Sequence, residues 1–402
     1  MSSVARLKSH LALEGNVIPL LFLVVLVVTG EKLWERFLPK YLEDIGASVL
    51  IIGSLGFLQN LLGAGWALQG GILSDRLGDR QAFRLFSLLA IAGYVIAILF
   101  SHWIAVFIGM IFFSAWGYVS LPGTMSLIVK TVGKQKAAMG ISMHSIIRRI
   151  PMAIGPLLGA LLIGMFGMEA GMKWAFCLSA LLCLSALFLL KNFSGKSDTY
   201  KALALMGIWK RMDRRLKGLL FSDILIRFCE QIPYVFVVIW CMNEVGISAG
   251  QFGVLTAIEM IVATLIYIPV ARFSDRTERK PFVVATFIFF TLFPILLFFS
   301  HSWEMLLLSF VVRGLKEFGE PTRKAMIVEL SIHHATARTV GVYYFIRDTL
   351  AAFAALIGGW LWYLSPGINL WTAAAFGMIG TFLFIILSKP KKNTSSTFTL
   401  PR

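Results

Sequence analysis

The sequence predicts an all-α membrane protein with twelve transmembrane helices arranged as two six-helix bundles. Of the 402 residues, 58% are hydrophobic and 14% are charged, whereas a soluble domain is about half apolar and about a quarter charged. Apolar runs of the roughly 20 residues that a bilayer requires recur along nearly the whole chain. Several short motifs recur at a spacing of about 200 residues, as Ser74 and Ser274 do, and this indicates two copies of one unit.

The apolar runs place six spans in each half. The spans of the first half are 17–38, 48–72, 82–100, 103–129, 137–165 and 174–190. Those of the second half are 217–240, 250–272, 282–299, 303–328, 339–364 and 370–387. These runs are too long for the strands of a membrane barrel, and they lack the alternation of such strands. We therefore predict an N-terminal six-helix bundle at 1–190, a cytoplasmic linker at 191–216, a C-terminal six-helix bundle at 217–388 and a cytoplasmic tail at 389–402.

The net charge of +16 is distributed unevenly between the loops. The loops on the side of the N-terminus carry most of the basic residues, among them Arg6, Lys8, Arg76, Arg80, Lys130, Lys134, Lys136, Lys210, Arg211, Arg214, Arg215, Lys217, Arg276, Arg279, Lys280 and Lys392. The opposite loops carry only Lys40 and Lys173. By the positive-inside rule we expect both termini in the cytoplasm. The compact, cysteine-poor loops and short tails lead us to expect a bacterial inner membrane. The basic surface is then a topology signal that contacts anionic lipid headgroups, not nucleic acid.

Two copies of one loop motif carry a resemblance to a known family. The loop between spans 2 and 3 reads Gly71-Ile-Leu-Ser-Asp75-Arg76-Leu-Gly78-Asp79-Arg80, and the loop between spans 8 and 9 reads Ala271-Arg-Phe-Ser-Asp275-Arg276-Thr-Glu-Arg279-Lys280. Both resemble the G-x-x-x-D-R-x-G-x-[RK] motif of the major facilitator superfamily, in the loops where that family has it. The resemblance implies a transporter built from parallel six-helix repeats. It also implies a gating role for the motif residues Gly71, Asp75, Arg76, Gly78, Arg80, Asp275 and Arg276.

A second motif is similar to the G-P-x-x-G-G pattern in helix 5 of the superfamily's antiporters. Here it reads Gly155-Pro156-Leu-Leu-Gly159-Ala160, with an alanine in place of the last glycine. The resemblance suggests antiport. The family's arginine in helix 4 is replaced, because Ser114 stands at the position that matches Arg313. That departure puts in question the proton-handling role that helix 4 has in the family.

Charged side chains inside the predicted spans indicate a polar interior. The basic ones are Lys32, Arg36, Arg148, Arg149, Arg227, Arg313, Lys316 and Arg347, and the acidic ones are Glu31, Glu35, Asp223, Glu230, Glu259, Glu317, Glu320 and Asp348. Each would cost about 2.5 kcal/mol or more if it faced lipid at mid-depth. They must therefore face a water-filled or paired interior. Their spans are 1, 5, 7, 8, 10 and 11, which lie among the spans that line the central cavity in the superfamily.

The depth of these charges predicts a substrate cavity between the repeats, where transporters bind their solutes. We predict that it is lined by Glu31, Trp34, Asn60, Arg148, Arg149, Arg227, Glu230, Arg313, Lys316, Glu317, Tyr343 and Arg347. A carboxylate in such a cavity can take up a proton, and the proton-coupling candidates are Glu31, Glu230 and Glu259. Equal numbers of acids and bases favour a zwitterionic or amphipathic solute, such as a drug, a siderophore or a peptide-like metabolite.

Three functional classes are compatible with this pattern. The first is a proton-coupled secondary transporter, either an efflux protein or an importer or exporter of a specialised metabolite. The second is an intramembrane enzyme, for which we identify no converging nucleophile and base. The third is a membrane sensor or scaffold that has lost transport. Structural ion pairs are an alternative explanation for any single charge, but a purely structural bundle has little use for so many costly charges.

Several other signals are interpreted as non-catalytic. Gly246-Ile-Ser248-Ala-Gly250 matches the hydrolase elbow G-x-S-x-G, but it lies in a short loop without the strand that the elbow needs. His333 and His334 lack further ligands nearby, and the cysteines have no metal-ligand spacing. We expect no cofactor and no metal. The expected partners are the lipid bilayer, a small-molecule substrate and protons as the coupling ion, and we expect a monomer.

Overall fold

The computed structural model of the chain describes the backbone of residues 17–189, 209–274, 277–332 and 336–387. Within these ranges, side chains are described except at residues 17–20, 64–65, 67–76, 79, 118–146, 268, 271–274 and 336–338.

The described chain is helical from end to end of each half. In the first half the helices are α1 (Val17–Trp34), α2 (Leu38–Asp44), α3 (Val49–Leu77), α4 (Asp79–Leu99) and the long helical run α5 (Trp103–Leu189). In the second half they are α6 (Arg214–Tyr234), α7 (Val237–Ile239), a π-helical turn (Trp240–Glu244), α8 (Ala249–Ser274), α9 (Lys280–Phe299), α10 (Trp303–Leu315), α11 (Glu320–Glu329), α12 (Thr336–Leu364) and α13 (Pro366–Leu387). The predicted spans coincide with these helices, although three spans are interrupted and three others run together in α5.

Length and apolar composition identify six of the described helices as able to cross a membrane on their own. The number becomes seven if the bent pair Arg214–Tyr234 and Val237–Glu244 is counted as one span. The described parts of two further apolar helices, Val49–Gly63 and Trp103–Gly117, are shorter than 18 residues, although α3 and α5 continue beyond them. Ile147–Leu189 counts once although it contains two predicted spans. The count over the described residues is therefore lower than twelve.

The run α5 is folded back on itself twice and contains three of the predicted spans. The rings of Phe113 and Phe176 have centroids 6.1 Å apart, whereas a straight helix would separate them by roughly 90 Å. One reversal is at Gly167, which has a φ of +79°. The other lies between Gly117 and Gly155, because both glycines lie beside the Glu31–Lys32 segment of α1.

Prolines explain why three spans are interrupted. Pro39 and Pro321 occupy the first turns of α2 and α11, and Pro233 lies at the end of α6. A proline has no N–H for the helix ladder and its ring clashes with the carbonyl four residues earlier. The predicted spans 1, 7 and 10 therefore break at residues 35–37, 235–236 and 316–319, and the seventh bends by 44°.

The two halves meet at the end of the bundle that carries the turns at Gly46 and Gly246, here called the distal end. These glycines have φ values of +87° and +76° and occupy equivalent places in the two repeats. The α3–α12 contact brings Gly359 so close to Gly53 that a Cβ on Gly359 would lie 2.9 Å from the Cα of Gly53. Between α8 and α5, a Cβ on Gly253 would lie 2.7 Å from the Cβ of Ala160. Small residues thus allow close helix packing at both symmetry-related interfaces.

The outer surface of the bundle is apolar. Leu99, Leu265 and Phe382 each expose about two-thirds of their surface. Large apolar side chains are exposed in this number only where lipid replaces water. In contrast, Trp34 is buried in an aromatic cluster with Tyr94 and Phe113, at centroid distances of 6.3 and 4.6 Å.

Candidate functional site

A cavity of about 300 Å³ lies in the first half beside the break in span 1. It is lined by Glu31, Lys32, Trp34, Glu35, Gln59, Met110, Ser114, Gly117 and Arg148. Its volume is at the lower end of the range for ligand pockets. Lys32 Nζ lies 3.1 Å from Glu31 Oε1 and also pairs with Glu35. Glu31, Trp34 and Arg148 of the predicted cavity are therefore brought together.

The adjacent arginines Arg148 and Arg149 are directed to different places. Arg148 lines the cavity of the first half. Arg149 Nη2 lies 3.3 Å from Glu317 Oε2, in the second half, and its guanidinium lies 4.7 Å from the ring centroid of Tyr267. Neighbouring positions on a helix point about 100° apart, which explains the separation. The predicted site residues Arg149 and Glu317 thus form a contact between the halves.

A second group of charges lies between the halves and is here called the cationic cluster. Its members are Arg36, Arg227, Arg313, Lys316, Glu230 and Glu259. Glu230 contacts Arg227 at 2.5 Å and Lys316 at 3.0 Å. Arg36 Nη2 lies 3.5 Å from Glu259 Oε2, so the first half contributes one member to a cluster of the second.

Glu259 is fully buried and contacts three cations. Its Oε1 lies 3.4 Å from Arg313 Nε and 3.4 Å from Lys316 Nζ, in addition to the Arg36 contact of Oε2. Among the described residues, neither oxygen has a hydrogen-bond partner of good geometry. Glu259 is therefore held by charge attraction from three directions, and a buried carboxylate requires such compensation.

Aromatic side chains surround the cationic cluster. The guanidinium of Arg313 lies 4.8 Å from the ring centroid of Phe293 and 5.9 Å from that of Tyr234, and Arg36 lies 5.5 Å from the same tyrosine. Tyr234 was not among the predicted site residues. Its place next to Pro233, at a break in a charged span, is the signal that could have identified it. Cation–π contacts of this kind help to compensate buried charge.

A third group of charges forms a buried network inside the second half. Arg323 is fully buried and pairs with Asp223 and with Glu320. Tyr343 donates a hydrogen bond of 2.9 Å to Asp223, and Arg347 Nη1 lies 3.4 Å from the same carboxylate. Arg323 was missed in the sequence because it follows Pro321 close to the predicted end of span 10. The structure does not bring Tyr343 and Arg347 to the cavity of the first half.

The charged residues of span 10 do not lie along one helix face, because the helix is interrupted. Helix α10 ends at Leu315 and α11 begins at Glu320, so the intervening residues form a turn. Gly319 N–H donates to Thr286 Oγ1 at 2.5 Å, which holds this turn against α9. Consequently Lys316 points to Glu230, whereas Glu317 points to Arg149.

Asn60 and the gating motif are only partly placed by the structure. Asn60 Nδ2 donates to Gly56 O at 3.0 Å and lies 3.5 Å from Gln231 of the other half. Gly78 has a φ of +80° and precedes α4, as expected for a tight turn. Arg80 is half-buried. Other motif residues lie outside the described part of the structure, namely the surroundings of Gly71, Asp75 and Arg76, and the whole of Asp275 and Arg276. The same holds for residues 190–208 of the linker region, for the chain from residue 388 onward, and for His333 and His334.

The elbow-like motif around Ser248 is a helix cap. Ser248 Oγ accepts a hydrogen bond of 3.2 Å from Gln251 N–H, and Gln251 Oε1 accepts one of 2.9 Å from Ser248 N–H. This reciprocal pair is a capping box. The preceding residues are π-helical and not a strand, so the geometry of a nucleophile elbow is missing. In the first repeat, Ser48 accepts a similar bond from Ile51 N–H at 3.4 Å.

Comparison with known proteins places these features in one family. The family model described as Major Facilitator Superfamily matches residues 20–204 and 219–400. An uncharacterised MFS-type transporter of Methanocaldococcus jannaschii is 21% identical over 397 residues, covering 93% of this chain and 95% of that protein. The multidrug resistance protein MdtH of Cronobacter sakazakii is 23% identical over 404 residues, covering 96% of each. The crystal structure of the nucleoside transporter NupG has a TM-score of 0.76 at 16% identity and covers 94% of this chain and 100% of that one.

The family model spans both halves, and the structural match extends over nearly the whole helical bundle. Fold, internal repeat and interior charges therefore agree with the sequence comparison. The chain belongs to the major facilitator superfamily and is a multi-pass membrane secondary transporter, not an enzyme.

Proposed function

We propose that this transporter moves a small amphipathic or zwitterionic solute by alternating access, with the two halves rocking about the central site. The observation that carries the proposal is the ion pair between Arg36 of the first half and Glu259 of the second. Arg149 and Glu317 form another such pair, at 3.3 Å. Transitions of this kind repack salt bridges at the moving interface, and both pairs lie where the halves must separate.

The cavity of the first half supports the proposed solute class. Trp34 and Met110 supply apolar surface, Gln59 supplies an amide, and Glu31 and Arg148 supply opposite charges. A pocket that combines apolar surface with charges of both signs is suited to an amphipathic or zwitterionic molecule. The similarity to a multidrug resistance protein makes efflux the direction to test first.

Glu31 is the proposed proton-coupling residue. It faces the cavity with a quarter of its side chain exposed. Among the described residues it pairs with one cation, Lys32, at 3.1 Å. By contrast, Glu230 pairs with two cations and Glu259 with three. A carboxylate that exchanges protons needs access to water and freedom from strong ion pairs. Of the three candidates, Glu31 meets both conditions best.

A proton-flux assay tests this function. Everted vesicles containing the full chain would be energised to a stable pH gradient, and drugs, peptides, sugars and metal chelates would be added in turn. Proton antiport predicts that at least one amphipathic compound collapses the gradient. The Glu31→Gln variant should lose this response, whereas Glu169→Gln should retain it because Glu169 is an exposed residue outside the cavity. An equal response in Glu31→Gln and the unchanged protein would exclude Glu31 as the coupling residue.

We also propose that both termini face the cytoplasm of a bacterial cell. The uneven distribution of basic residues supports this orientation, with Lys210 and Lys173 in loops assigned to opposite sides of the membrane. Cysteines placed at these two positions, with Cys177 replaced by alanine, would be labelled on intact cells with a membrane-impermeant maleimide. The expected result is labelling at position 173 before permeabilisation and at position 210 only after it. The reverse pattern would invert the topology.

A further inference from the structure

The cationic cluster carries more positive than negative charge. Four cations, Arg36, Arg227, Arg313 and Lys316, contact two carboxylates, Glu230 and Glu259. Lys316 is shared between both carboxylates, at 3.0 and 3.4 Å. Glu35 lines the same small cavity as Arg36 and Arg313, but it is shared with Lys32. An excess of at least one positive charge therefore remains at the junction of the halves. Uncompensated charge in a membrane interior is costly and marks a functional site.

The excess is local to this cluster and the adjoining cavity of the first half. In the buried network, Asp223, Glu320 and Asp348 balance Arg323, Lys324 and Arg347. In the cavity of the first half, Glu31 and Glu35 face Lys32 and Arg148. Glu317 balances Arg149. Among the described interior residues, the buried network and the Arg149–Glu317 pair are thus electrically neutral. The surplus has to be compensated where the cationic cluster and the first-half cavity adjoin.

Arg313 has a donor that is not used. Its side chain is 3% exposed, and among the described residues its Nη1 has no hydrogen-bond partner. Leaving a buried guanidinium donor unpaired is costly, and the nearby rings of Phe293 and Phe310, at 4.8 and 5.5 Å, offer no acceptor oxygen. The donor is therefore available to an acceptor that enters from outside the protein.

There is space for such an acceptor next to Arg313. A small cavity of about 20 Å³ is lined by Arg36, Arg313 and Tyr234, and it has room for roughly one water-sized group. Glu35 and Gln59 line both this cavity and the cavity of 300 Å³ in the first half. The two spaces are therefore neighbours. A molecule in the larger one would therefore have its polar end next to the two arginines.

We propose that the transported solute carries an oxyanion, a carboxylate or sulfonate, and that one of its oxygens binds between Arg36 and Arg313 with Lys316 in support. The body of the solute occupies the larger cavity. Guanidinium groups bind such oxyanions through paired, charge-assisted hydrogen bonds. Because Arg36 belongs to the first half and Arg313 to the second, the bound oxyanion connects the halves and competes with Glu259 for Arg36. This inference rests on the proposed function, since it names the chemical class of the transported solute.

Binding of matched small probes tests the inference. Purified full-length protein in lipid nanodiscs would be titrated with benzoate, benzenesulfonate, benzamide and benzylammonium at constant ionic strength, and the thermal midpoint followed by tryptophan fluorescence. Benzoate and benzenesulfonate should raise the midpoint by a few degrees at saturation, whereas the neutral and cationic analogues should not. Equal shifts from benzoate and benzamide would overturn the proposal.

Variants assign the effect to the site. Arg313→Gln should weaken benzoate binding by at least about tenfold, the loss expected for one charge-assisted hydrogen bond. Arg279→Gln, which changes an exposed arginine paired with Glu329, should bind benzoate as the unchanged protein does. Arg313→Lys keeps the charge without the planar fork and provides a second variant if Arg313→Gln does not fold. Unchanged binding in a folded Arg313 variant would contradict the assignment.

The binding test and the proton-flux assay can give a negative result independently of each other. Gradient collapse by amphipathic cations, without benzoate binding, would leave proton antiport intact and exclude the oxyanion site. Benzoate binding without any proton flux would support the oxyanion site and contradict proton-coupled efflux.

Discussion

Glu43 and Asn243 are separated by the length of one repeat and are hydrogen-bonded to each other. Asn243 Nδ2 lies 3.0 Å from each carboxylate oxygen of Glu43. Lys40 Nζ lies 2.7 Å from the same carboxylate. Because equivalent residues of two repeats can meet only near their symmetry axis, this contact lies on the pseudo-twofold axis at the distal end. Together with the edge-to-face rings of Phe37 and Phe252, whose centroids are 5.6 Å apart, it joins the halves there.

Removing this contact should favour separation of the halves at the distal end. Asn243→Ala deletes the donor, and a hydrogen bond of this kind contributes about 1 kcal/mol, so the population of the open state should rise about fivefold. Spin labels at Asp44→Cys and Glu244→Cys, with Cys177 replaced by alanine, would report the distance by double electron–electron resonance. Lys173→Ala, which breaks an ion pair within the first half, is the control. An unchanged distance distribution in Asn243→Ala would show that the contact does not hold the halves together.

The glycine contacts predict a second effect on the same interface. A methyl group at Gly253 would lie 2.7 Å from the Cβ of Ala160 and 3.0 Å from the carbonyl oxygen of Pro156. Gly253→Ala should therefore destabilise the closed distal interface by about 1–3 kcal/mol, as overpacking does. The spin-label distance at the distal end is again the measurement.

Gly164 provides the matched control for this substitution. A Cβ at Gly164 would meet no atom within 4 Å, so Gly164→Ala should leave the distance distribution unchanged and should raise helix stability slightly. Equal behaviour of the two alanine variants would refute the packing argument.

Adjacent cations of α11 should differ strongly in their contribution to stability. Arg323 is fully buried between Asp223 and Glu320, whereas the Lys324 side chain is 52% exposed. Arg323→Met leaves buried carboxylates short of a partner and should cost about 3–5 kcal/mol. Lys324→Met should cost less than about 1 kcal/mol. Thermal midpoints in nanodiscs measure both, and a larger loss for Lys324→Met would contradict the proposed role of the buried network.

Neutralising Glu259 should increase the response to oxyanions. Glu259→Gln removes a charge shared by Arg36, Arg313 and Lys316, and the protein without solute should lose about 3–5 kcal/mol of stability. A bound oxyanion would restore the missing charge, so the rise in thermal midpoint on adding benzoate should be larger than in the unchanged protein. The neutral analogue benzamide is the control. A smaller benzoate response in a folded Glu259→Gln variant would show that this carboxylate is not the competitor for Arg36.

Much of the architecture could be predicted from local sequence features. Apolar runs of sufficient length define spans whatever their neighbours are, because a helix satisfies its own backbone hydrogen bonds in lipid. The interruption of spans 1, 7 and 10 could also have been predicted from Pro39, Pro233 and Pro321, whose effect on the helix ladder is local. The break in span 10 between Leu315 and Glu320 lets Lys316 and Glu317 take different partners. The pairing of Arg227 with Glu230, three residues apart, is similarly local.

The grouping of the interior charges was decided by tertiary structure alone. Counting acids and bases along the sequence indicated a balanced interior because Arg323 and Lys324 were left out. Packing decides how the charges are grouped, and it gathers Arg36, Arg313 and Lys316 around Glu259. The sequence by itself determined the membrane class, the two repeats and the spans that carry charge. Only the fold decided that Arg148 faces the first-half cavity while Arg149 reaches Glu317. The reason is that the partner of a charged side chain depends on which helices are neighbours in space. Spacing along the chain does not determine which helices become neighbours.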